Sequence, residues 1–301
     1  MNSSSKPSIA FLGTGLMGLP MAVRLLQADY PLVAWNRTLA KAGPLAALGA
    51  MLAETPEEAV RSAKIVITML EAGPIVTQVV ESALPAIQRG ALVIDMSSTK
   101  QSEAQELHAL LTAQGINFID APVSGGVLGA EAGTLAIMAG GSAENFKQAE
   151  PVLRVMGRPT LVGAAGCGQL AKLCNQLIVG GTIGIVAEAL LLAQAGGADP
   201  AAVRAAIRGG FAESRILEVH GQRMLDRNFV PGGQIKSQTK DLENILIAAD
   251  NAGLSLPLTS MVAELYRSIL PDFPNADQAA ALLALEQKNP GKRVGNSSDK
   301  F

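Results

Sequence analysis

A lysine and an asparagine stand three residues apart in an apolar, helix-like stretch of the chain. Lys172 and Asn175 lie at i and i+3, and therefore share one face of a helix. If that face borders a cleft, the Lys172 ammonium can give a proton to the alkoxide that forms as hydride reaches a carbonyl carbon, while Asn175 holds the oxygen. The spacing alone favours the simpler interpretation, a lysine on the surface of a helix.

A glycine pattern near the N-terminus has the spacing of a nucleotide-binding turn. Gly13, Gly15 and Gly18 follow the strand-like SIAFL and precede the helix-like LPMAVRLLQA, with Leu16 and Met17 inside the turn. The first glycine makes the tight turn, the second admits a pyrophosphate, and the third lets helix and strand pack closely. The helix N-terminus offers free N–H groups to the phosphates. A glycine turn that binds no ligand is the alternative.

The residues after the second strand bear on which dinucleotide would bind. Asn36, Arg37 and Thr38 stand where a carboxylate would accept hydrogen bonds from an NAD ribose. Asn36 is neutral, Arg37 can pair with a 2′-phosphate, and Thr38 adds a hydroxyl donor. This pattern favours NADP over NAD, although Arg37 could also be an ordinary exposed arginine at a helix start.

Two further strands end in residues that could line the same ligand. Met69 and Leu70 end KIVITML, and the segment Ser97, Ser98 and Thr99 ends ALVIDM. Ligands of doubly wound sheets bind at the carboxyl ends of the strands. The serines and the threonine could equally cap a helix that begins near Gln101.

Two more segments are candidates for contact with a substrate or a cofactor. Ser124 stands beside Gly125 and Gly126, whose backbone N–H groups could hold a carboxylate, although an ordinary turn is equally consistent. Lys240, beside Asp241, could be a second cleft lysine, but its position favours an exposed pair in the first turn of a helix.

The order of the predicted elements gives the architecture that must position these residues. Residues 8–165 alternate short β-branched runs with helix-like runs, which predicts a Rossmann-like, doubly wound parallel α/β sheet. Residues 166–290 carry long apolar helical runs, which predict an all-α C-terminal domain. Residues 1–7 and 291–301 are polar and are predicted to be mobile tails. One helix is predicted to run up to Leu48.

Composition and charge exclude several classes of function. The 301 residues are 49% hydrophobic and 17% charged, as in a globular chain. With 24 Lys and Arg against 26 Asp and Glu, the chain has no excess of positive charge to attract nucleic acid or an anionic membrane. Glu188 divides the apolar run 177–197, which predicts a buried helix and no membrane span. Cys167 and Cys174 fit neither a disulfide framework nor a zinc site, and MNSSSKP has no apolar signal region, so we expect a cytoplasmic protein without a metal.

With these residues assembled, the chain resembles the β-hydroxyacid dehydrogenase family from about Ser8 to Glu286. The resemblance rests on four segments: GTGLMGLPMA at 13–22, DAPVSGGVLGAEAGTL at 120–135, GQLAKLCNQ at 168–176 and KDL at 240–242. It implies that Lys172 is the catalytic acid/base, that Asn175 binds the reacting oxygen, and that Ser124, Gly125 and Gly126 hold the substrate carboxylate. It also implies that Ser98 and Lys240 lie against the cofactor, with Lys240 near the substrate as well, and that the chain forms a homodimer or a homotetramer.

Within that family, AIRGG at 206–210 and MLDRNFVPG at 224–232 look most like the tartronate semialdehyde (2-hydroxy-3-oxopropionate) reductases. The resemblance therefore implies an NADPH-preferring reductase that forms glycerate, with NAD(H) as a possible second cofactor. Two segments depart from the pattern: Gly233 replaces the phenylalanine of PGF, and the D-x-S-A motif is Asp277-Gln278-Ala279-Ala280. A 3-hydroxyisobutyrate dehydrogenase, a glyoxylate or succinic semialdehyde reductase, and a catalytically silent NADP-binding module are the alternatives.

Overall fold

The computed structural model describes residues 6–301 of the chain. The fold divides into two compact units, Met1–Lys172 and Leu173–Phe301. The sequence-based boundary at residue 165 stays a prediction. Residues 1–5 of the predicted N-terminal tail lie outside the described part of the chain.

The first unit is built on one nine-stranded sheet. Its strands, in chain order, are β1 (Ile9–Leu12), β2 (Leu32–Trp35), β3 (Met51–Leu52), β4 (Ile65–Thr68), β5 (Leu92–Asp95), β6 (Asn117–Asp120), β7 (Val123–Ser124), β8 (Leu135–Gly140) and β9 (Gly157–Gly163). β1, β4 and β5 are buried along their whole length, and β6 is buried after its first residue. Such burial is typical of parallel strands covered on both faces.

The sheet confirms the predicted Rossmann-like class. Strands β3-β2-β1-β4-β5-β6 lie side by side in that order, and each pair is parallel. β8 then pairs antiparallel with β6 and β7 and parallel with β9. The strand order reverses at β1, and its carboxyl end is where doubly wound sheets bind dinucleotides.

Seven helices of the first unit connect these strands: α1 (Gly18–Gln27), α2 (Gly43–Ala46), α3 (Pro56–Val60), α4 (Gly73–Ala83), α5 (Gln101–Ala113), α6 (Gly126–Ala132) and α7 (Ala143–Met156). The predicted helix up to Leu48 is wrong. A 3-10 helix, Leu39–Lys41, and the single turn α2 replace it. Pro44 lacks the N–H that a longer helix would need, which accounts for the interruption.

The second unit is helical, as predicted. The helix α8 (Cys167–Ala195) spans the division between the units and is followed by α9 (Pro200–Ile207), α10 (Arg215–Leu225), α11 (Ile235–Asn251), α12 (Pro257–Ile269) and α13 (Ala281–Lys288). A separate apolar core forms around buried residues that include Ile183, Phe229 and Tyr266. By length and composition alone, α8 could cross a membrane, a test that core helices also pass.

The segment 291–301, predicted to be a mobile tail, makes specific contacts in the structure. Buried Arg227 donates to Glu286 and to Asp299, with N···O distances of 2.6 Å for each. Val294 is fully buried, and the Phe301 ring stacks on Phe273 with 5.1 Å between centroids. The segment is polar in sequence, but contacts with buried Arg227 and the apolar side chains of Val294 and Phe301 hold it against the second unit. Two isolated apolar residues do not form a helical pattern that the sequence could show.

Candidate active site

The three glycines of the β1–α1 turn occupy three different environments. Gly13 has φ +106°, and a Cβ there would clash with the carbonyl oxygen of Met69. A Cβ on Gly18 would clash with the carbonyl oxygen of Gly13. Gly15 is different, since no atom in the described part of the chain lies within 4 Å of the position its Cβ would take. The fold therefore requires Gly13 and Gly18, whereas Gly15 leaves open space above the turn.

That open space has the features of a phosphate site. Within the described residues, no side chain caps the N-terminus of α1. The Leu19 N–H donates to the Gly15 carbonyl oxygen and Pro20 has no N–H, so the N–H groups that an anion could take belong to the turn before Leu19. Thr14 is 2% exposed, and its buried hydroxyl has no hydrogen-bond partner among residues 6–301. Leu16 is 86% exposed at the tip, and Met17 is half-buried. The turn thus fits the pyrophosphate of a dinucleotide.

The segment after β2 lies against this turn. The backbone N–H of Thr14 donates to Asn36 Oδ1 at 3.1 Å, and Asn36 Nδ2 donates to the carbonyl oxygen of Thr38 at 3.0 Å. Arg37 and Thr38 are exposed. Asn36 therefore joins the glycine turn to the segment that carries the Arg37 guanidinium.

The ends of β4 and β5 are fixed to each other. The backbone N–H of Leu70 donates to Ser97 Oγ at 2.9 Å, and Thr68 Oγ1 donates to Asp95 Oδ1 at 2.8 Å. Ser98 is half-buried, whereas Ser97 is fully buried. The helix after this segment begins at Gln101 with the Glu103 carboxylate accepting the Lys100 N–H, so residues 97–99 do not cap it.

Gln169 joins this segment to the first turn of α8. Its Nε2 donates to the carbonyl oxygen of Ser97 at 2.8 Å, and its Oε1 accepts the N–H of Thr99 at 3.0 Å. Gln169 is 1% exposed, and both ends of its amide are satisfied. The residues around Ser98 are therefore held in one conformation.

The carboxylate of Asp120, at the end of β6, caps α8. Its two oxygens accept the backbone N–H groups of Gly166 and Gln169 at 2.7 and 2.8 Å. A Cβ on Gly168 would lie 2.6 Å from the Asp120 carbonyl oxygen, so only glycine permits this approach. Free N–H groups at a helix N-terminus are the usual place for an N-cap carboxylate. This end of α8 is consequently occupied by the protein itself.

Two buried carboxylates stand on adjacent strands at this edge. Asp95 and Asp120 are partners in the β5–β6 register. Burial raises the pKa of Asp95 to about 6, partly offset by its hydrogen bonds to Ser97 and Thr68, and Asp120 adds to the rise. Burial also raises the pKa of Asp120, while the backbone N–H groups of Gly166 and Gln169 act in the opposite direction.

The candidate carboxylate site is a turn between β7 and α6. Ser124 is half-buried, whereas Gly125 and Gly126 are exposed, with φ +142° and +65°. No atom of the residues that the structure describes lies within 4 Å of the Cβ position of Gly126. The turn therefore presents glycine backbone to open space, as an anion would need.

The candidate catalytic pair lies on α8. Lys172 and Asn175 are both half-buried on the first turns of this helix. Asn175 Nδ2 donates to Gln176 Oε1 at 2.9 Å. On α11, Lys240 has a side chain that is 48% exposed, and its Nζ lies 3.7 Å from Asp241 Oδ1. Among residues 6–301, no group of three or more His, Cys, Asp or Glu side chains could hold a metal ion.

The two segments that depart from the family pattern lie against each other in the second unit. The N–H groups of Gly232 and Gly233 donate to Asp277 Oδ2 at 3.1 and 3.2 Å, and the N–H of Gln278 donates to the Gly233 carbonyl oxygen at 2.7 Å. A Cβ on Gly233 would lie 2.9 Å from Gln278 Nε2. The two segments are therefore in direct contact through Asp277 and Gln278.

Several residues of these networks were not predicted from the sequence: Thr14, Asp120, Gln169, Gln176 and Asp241. Asp120 does follow a predicted buried strand, and a carboxylate at such a place signals a polar role. The glutamines carry no local signal, because their partners lie far away in the sequence.

Comparison with known proteins agrees with this geometry. The family described as the NAD binding domain of 6-phosphogluconate dehydrogenase matches residues 8–174. The family described as the NAD-binding region of NADP-dependent 3-hydroxyisobutyrate dehydrogenase matches residues 166–285. The chain is 39% identical to the 2-hydroxy-3-oxopropionate reductase of Escherichia coli (strain K12), across 92% of this chain and 97% of the relative.

Solved structures give the same assignment. The structure of Mycobacterium tuberculosis 3-hydroxyisobutyrate dehydrogenase with L-serine superposes with a TM-score of 0.86 at 33% identity, across 93% of this chain and 99% of that one. Psf3 in complex with NADP+ and 2-OPP superposes with a TM-score of 0.80 at 25% identity, across 92% and 99%. The glycine turn, the strand order and these matches together identify the chain as a member of the β-hydroxyacid dehydrogenase family, and hence as an NAD(P)-dependent oxidoreductase.

Proposed function

We propose that this protein is an NADPH-preferring reductase that converts a short aldehyde carboxylate to a hydroxy acid, with tartronate semialdehyde to glycerate as the leading reaction. The observation that carries the proposal is the position of Lys172 and Asn175, one turn apart near the start of the Asp120-capped helix α8. The 39% identity to a 2-hydroxy-3-oxopropionate reductase supports the choice of substrate.

Residues of the chain have separate roles in the proposed reaction. The nicotinamide cofactor, when bound, supplies the hydride. The Lys172 ammonium gives a proton to the carbonyl oxygen as the carbon is reduced, and Asn175 donates a hydrogen bond that holds this oxygen. Ser124 and the N–H groups of Gly125 and Gly126 hold the substrate carboxylate, which fixes the aldehyde carbon relative to the lysine.

The cofactor-binding residues belong to the first unit, with one addition. The turn from Gly13 to Gly18, including Leu16 and Met17, binds the pyrophosphate of the cofactor. Met69, Leu70 and Ser98 line the rest of the cofactor site. Arg37 and Thr38 bind the 2′-phosphate, beside the neutral Asn36, so NADP(H) is preferred and NAD(H) is used more weakly. The family resemblance also implies that Lys240, from the second unit, contacts both the cofactor and the substrate.

A 3-hydroxyisobutyrate dehydrogenase is the second candidate, and the TM-score of 0.86 to such an enzyme favours it. The departures from the family pattern at Gly233 and Ala279 also weaken the subfamily assignment. A glyoxylate or succinic semialdehyde reductase and a silent NADP-binding module remain the other outcomes of the test.

The test is the initial rate of NADPH oxidation, with NADH in parallel, on tartronate semialdehyde, methylmalonate semialdehyde, succinic semialdehyde and glyoxylate. The highest kcat/KM with NADPH and tartronate semialdehyde supports the proposal. A higher value with another aldehyde keeps the fold and the role of Lys172 but replaces the substrate. NADPH binding without turnover of any of them favours the silent module.

We further propose that the protein forms a homo-oligomer, either a dimer or a tetramer. We also propose that it resides in a reducing compartment such as the cytoplasm. Ile178, Ile185 and Leu192 are 62%, 65% and 74% exposed at seven-residue intervals on α8, so they form one apolar stripe. Both cysteines are free, as expected for that compartment. Sedimentation of Ile185→Lys should show a smaller assembly than wild type. Leu39→Lys, at an exposed leucine of the first unit, should leave the size of the assembly unchanged.

A further inference from the structure

A chain of amide groups joins α8 to α11 within the second unit. Gln176 Nε2 donates to Asp241 Oδ2 at 2.8 Å and lies 3.4 Å from Gln238 Oε1. Gln238 Nε2 donates to the backbone carbonyl oxygen of Gln176 at 3.2 Å. At the other end of the Gln176 amide, its Oε1 accepts the 2.9 Å hydrogen bond from Asn175 Nδ2.

The direction of every hydrogen bond in this chain is determined. A carboxylate and a backbone carbonyl can only accept, so the amino groups of Gln176 and Gln238 must face them. The remaining atom of the Gln176 amide, Oε1, must then face Asn175. A reversed Asn175 amide would place its oxygen against that acceptor, which is repulsive, so Nδ2 stays on the side of Gln176.

We propose that Gln176 is a positioning residue that orients the Asn175 amide for the reacting carbonyl oxygen. This inference rests on the proposed function, in which Asn175 holds that oxygen. The Asn175 nitrogen carries two hydrogens, and the bond to Gln176 uses one of them, so the second stays on a nitrogen whose place is fixed. Asp241 sets the orientation through Gln176 and needs no contact with the substrate.

The packing of α8 against α11 buries the Gln238 and Asp241 end of this arrangement. Gln238 is 1% exposed, and Asp241 has a side chain that is 14% exposed. Gly180 lies one turn beyond Gln176, and a Cβ there would clash with Gln238 Nε2. The missing side chain at Gly180 therefore leaves the room in which Gln238 reaches the backbone of Gln176.

The test is a double-mutant cycle on the best substrate of the panel. Gln176→Met keeps the length of the side chain and removes its hydrogen bonds to Asn175, Gln238 and Asp241. We expect kcat to fall about tenfold with the NADPH Kd unchanged. In an Asn175→Ala background, the same substitution should cause no further loss, because Gln176 acts through Asn175. Asp241→Asn, which lets the chain of amides reverse, should give a smaller loss. Gln194→Met, at an exposed glutamine on the same helix, is the matched control.

The outcomes separate this inference from the proposed function. Full additivity of Gln176→Met and Asn175→Ala overturns the positioning role alone, whereas wild-type turnover by Asn175→Ala overturns the proposed function first. A readout without substrate is the side-chain amide signal of Asn175 in the 15N-labelled protein. One slowly exchanging proton in wild type, lost in Asp241→Asn and in Gln176→Met, supports the orientation, and fast exchange in wild type refutes it.

Discussion

Asp120 and Gln169 bind each other across 49 positions of sequence, through a 2.8 Å hydrogen bond from the Gln169 N–H to Asp120 Oδ2. The Gln169 side chain continues the connection to Ser97 and Thr99. The end of β6, the segment after β5 and the first turn of α8 are consequently one polar unit, and the helix that carries Lys172 begins at a fixed place on the sheet.

Asp120→Asn should lower the free energy of unfolding by about 2 kcal/mol, because an amide nitrogen would face a buried N–H group. Urea unfolding followed by circular dichroism measures the change. Asp250→Asn, at an exposed position near the end of α11, should stay within about 0.5 kcal/mol of wild type. Equal effects of the two substitutions would show that the cap contributes nothing.

Asp95 should make stability fall as pH rises from about 4 to about 6. Its pKa is about 6 in the folded chain against a usual 3.8, so the folded state holds the proton more tightly and loses that advantage once both states are ionised. Since Asp95→Asn has no such titration, the free energy of unfolding of wild type minus that of the variant should fall by about 2 kcal/mol between pH 4 and pH 7. A pH-independent difference would contradict this prediction.

Gly15→Ala should lower the affinity for NADPH, whereas Gly18→Ala should lower the stability of the fold. The Cβ of the first meets no protein atom, so the free energy of unfolding should stay near that of wild type while NADPH affinity falls. The second clashes with the Gly13 carbonyl oxygen and should destabilise the fold by more than about 1 kcal/mol. Thermal unfolding and NADPH titration measure the two effects, and Gly181→Ala, at another open glycine, is the control. Unchanged NADPH affinity in Gly15→Ala would argue against a pyrophosphate at this turn.

Arg37→Ala should weaken NADPH binding about tenfold or more and leave NADH binding nearly unchanged, because only NADPH carries the 2′-phosphate. Fluorescence titration with both cofactors measures the ratio of the two Kd values. Arg61→Ala, at another exposed arginine of the first unit, should leave this ratio unchanged. Equal losses for both cofactors would mean that Arg37 does not contact the phosphate.

Lys172→Met should lower kcat roughly 100-fold or more, the range expected for loss of a general acid, while NADPH binding stays within a few-fold of wild type. Single-turnover kinetics on the best aldehyde measures the chemical step. Lys236→Met, at an exposed lysine on α11, should retain wild-type turnover. Turnover that survives in Lys172→Met would assign the proton to another group.

Patterns within short segments of the sequence predicted the elements whose structure depends on neighbouring residues. Gly13, Gly15 and Gly18 stand between a strand and a helix in both sequence and structure, and the apolar runs after residue 166 form helices. The strands β8 and β9 were not predicted. The run of β9 contains Gly157, Pro159 and Gly163 and resembles a loop, whereas β8 is a short apolar run that ends at Gly140. The pairing of Asp120 with Gln169 joins distant segments, and spacing within a segment carries no record of such contacts.

The edges of the nine-stranded sheet bear on how the protein behaves when it is concentrated. β3, at one edge, has two residues, and β9, which pairs with β8 alone, contains Pro159, which has no N–H to offer. Neither edge presents a long row of free backbone groups to a strand of another molecule. Growth of fibrils by strand addition is therefore disfavoured in the folded state, even though the sheet interior is among the most apolar parts of the chain.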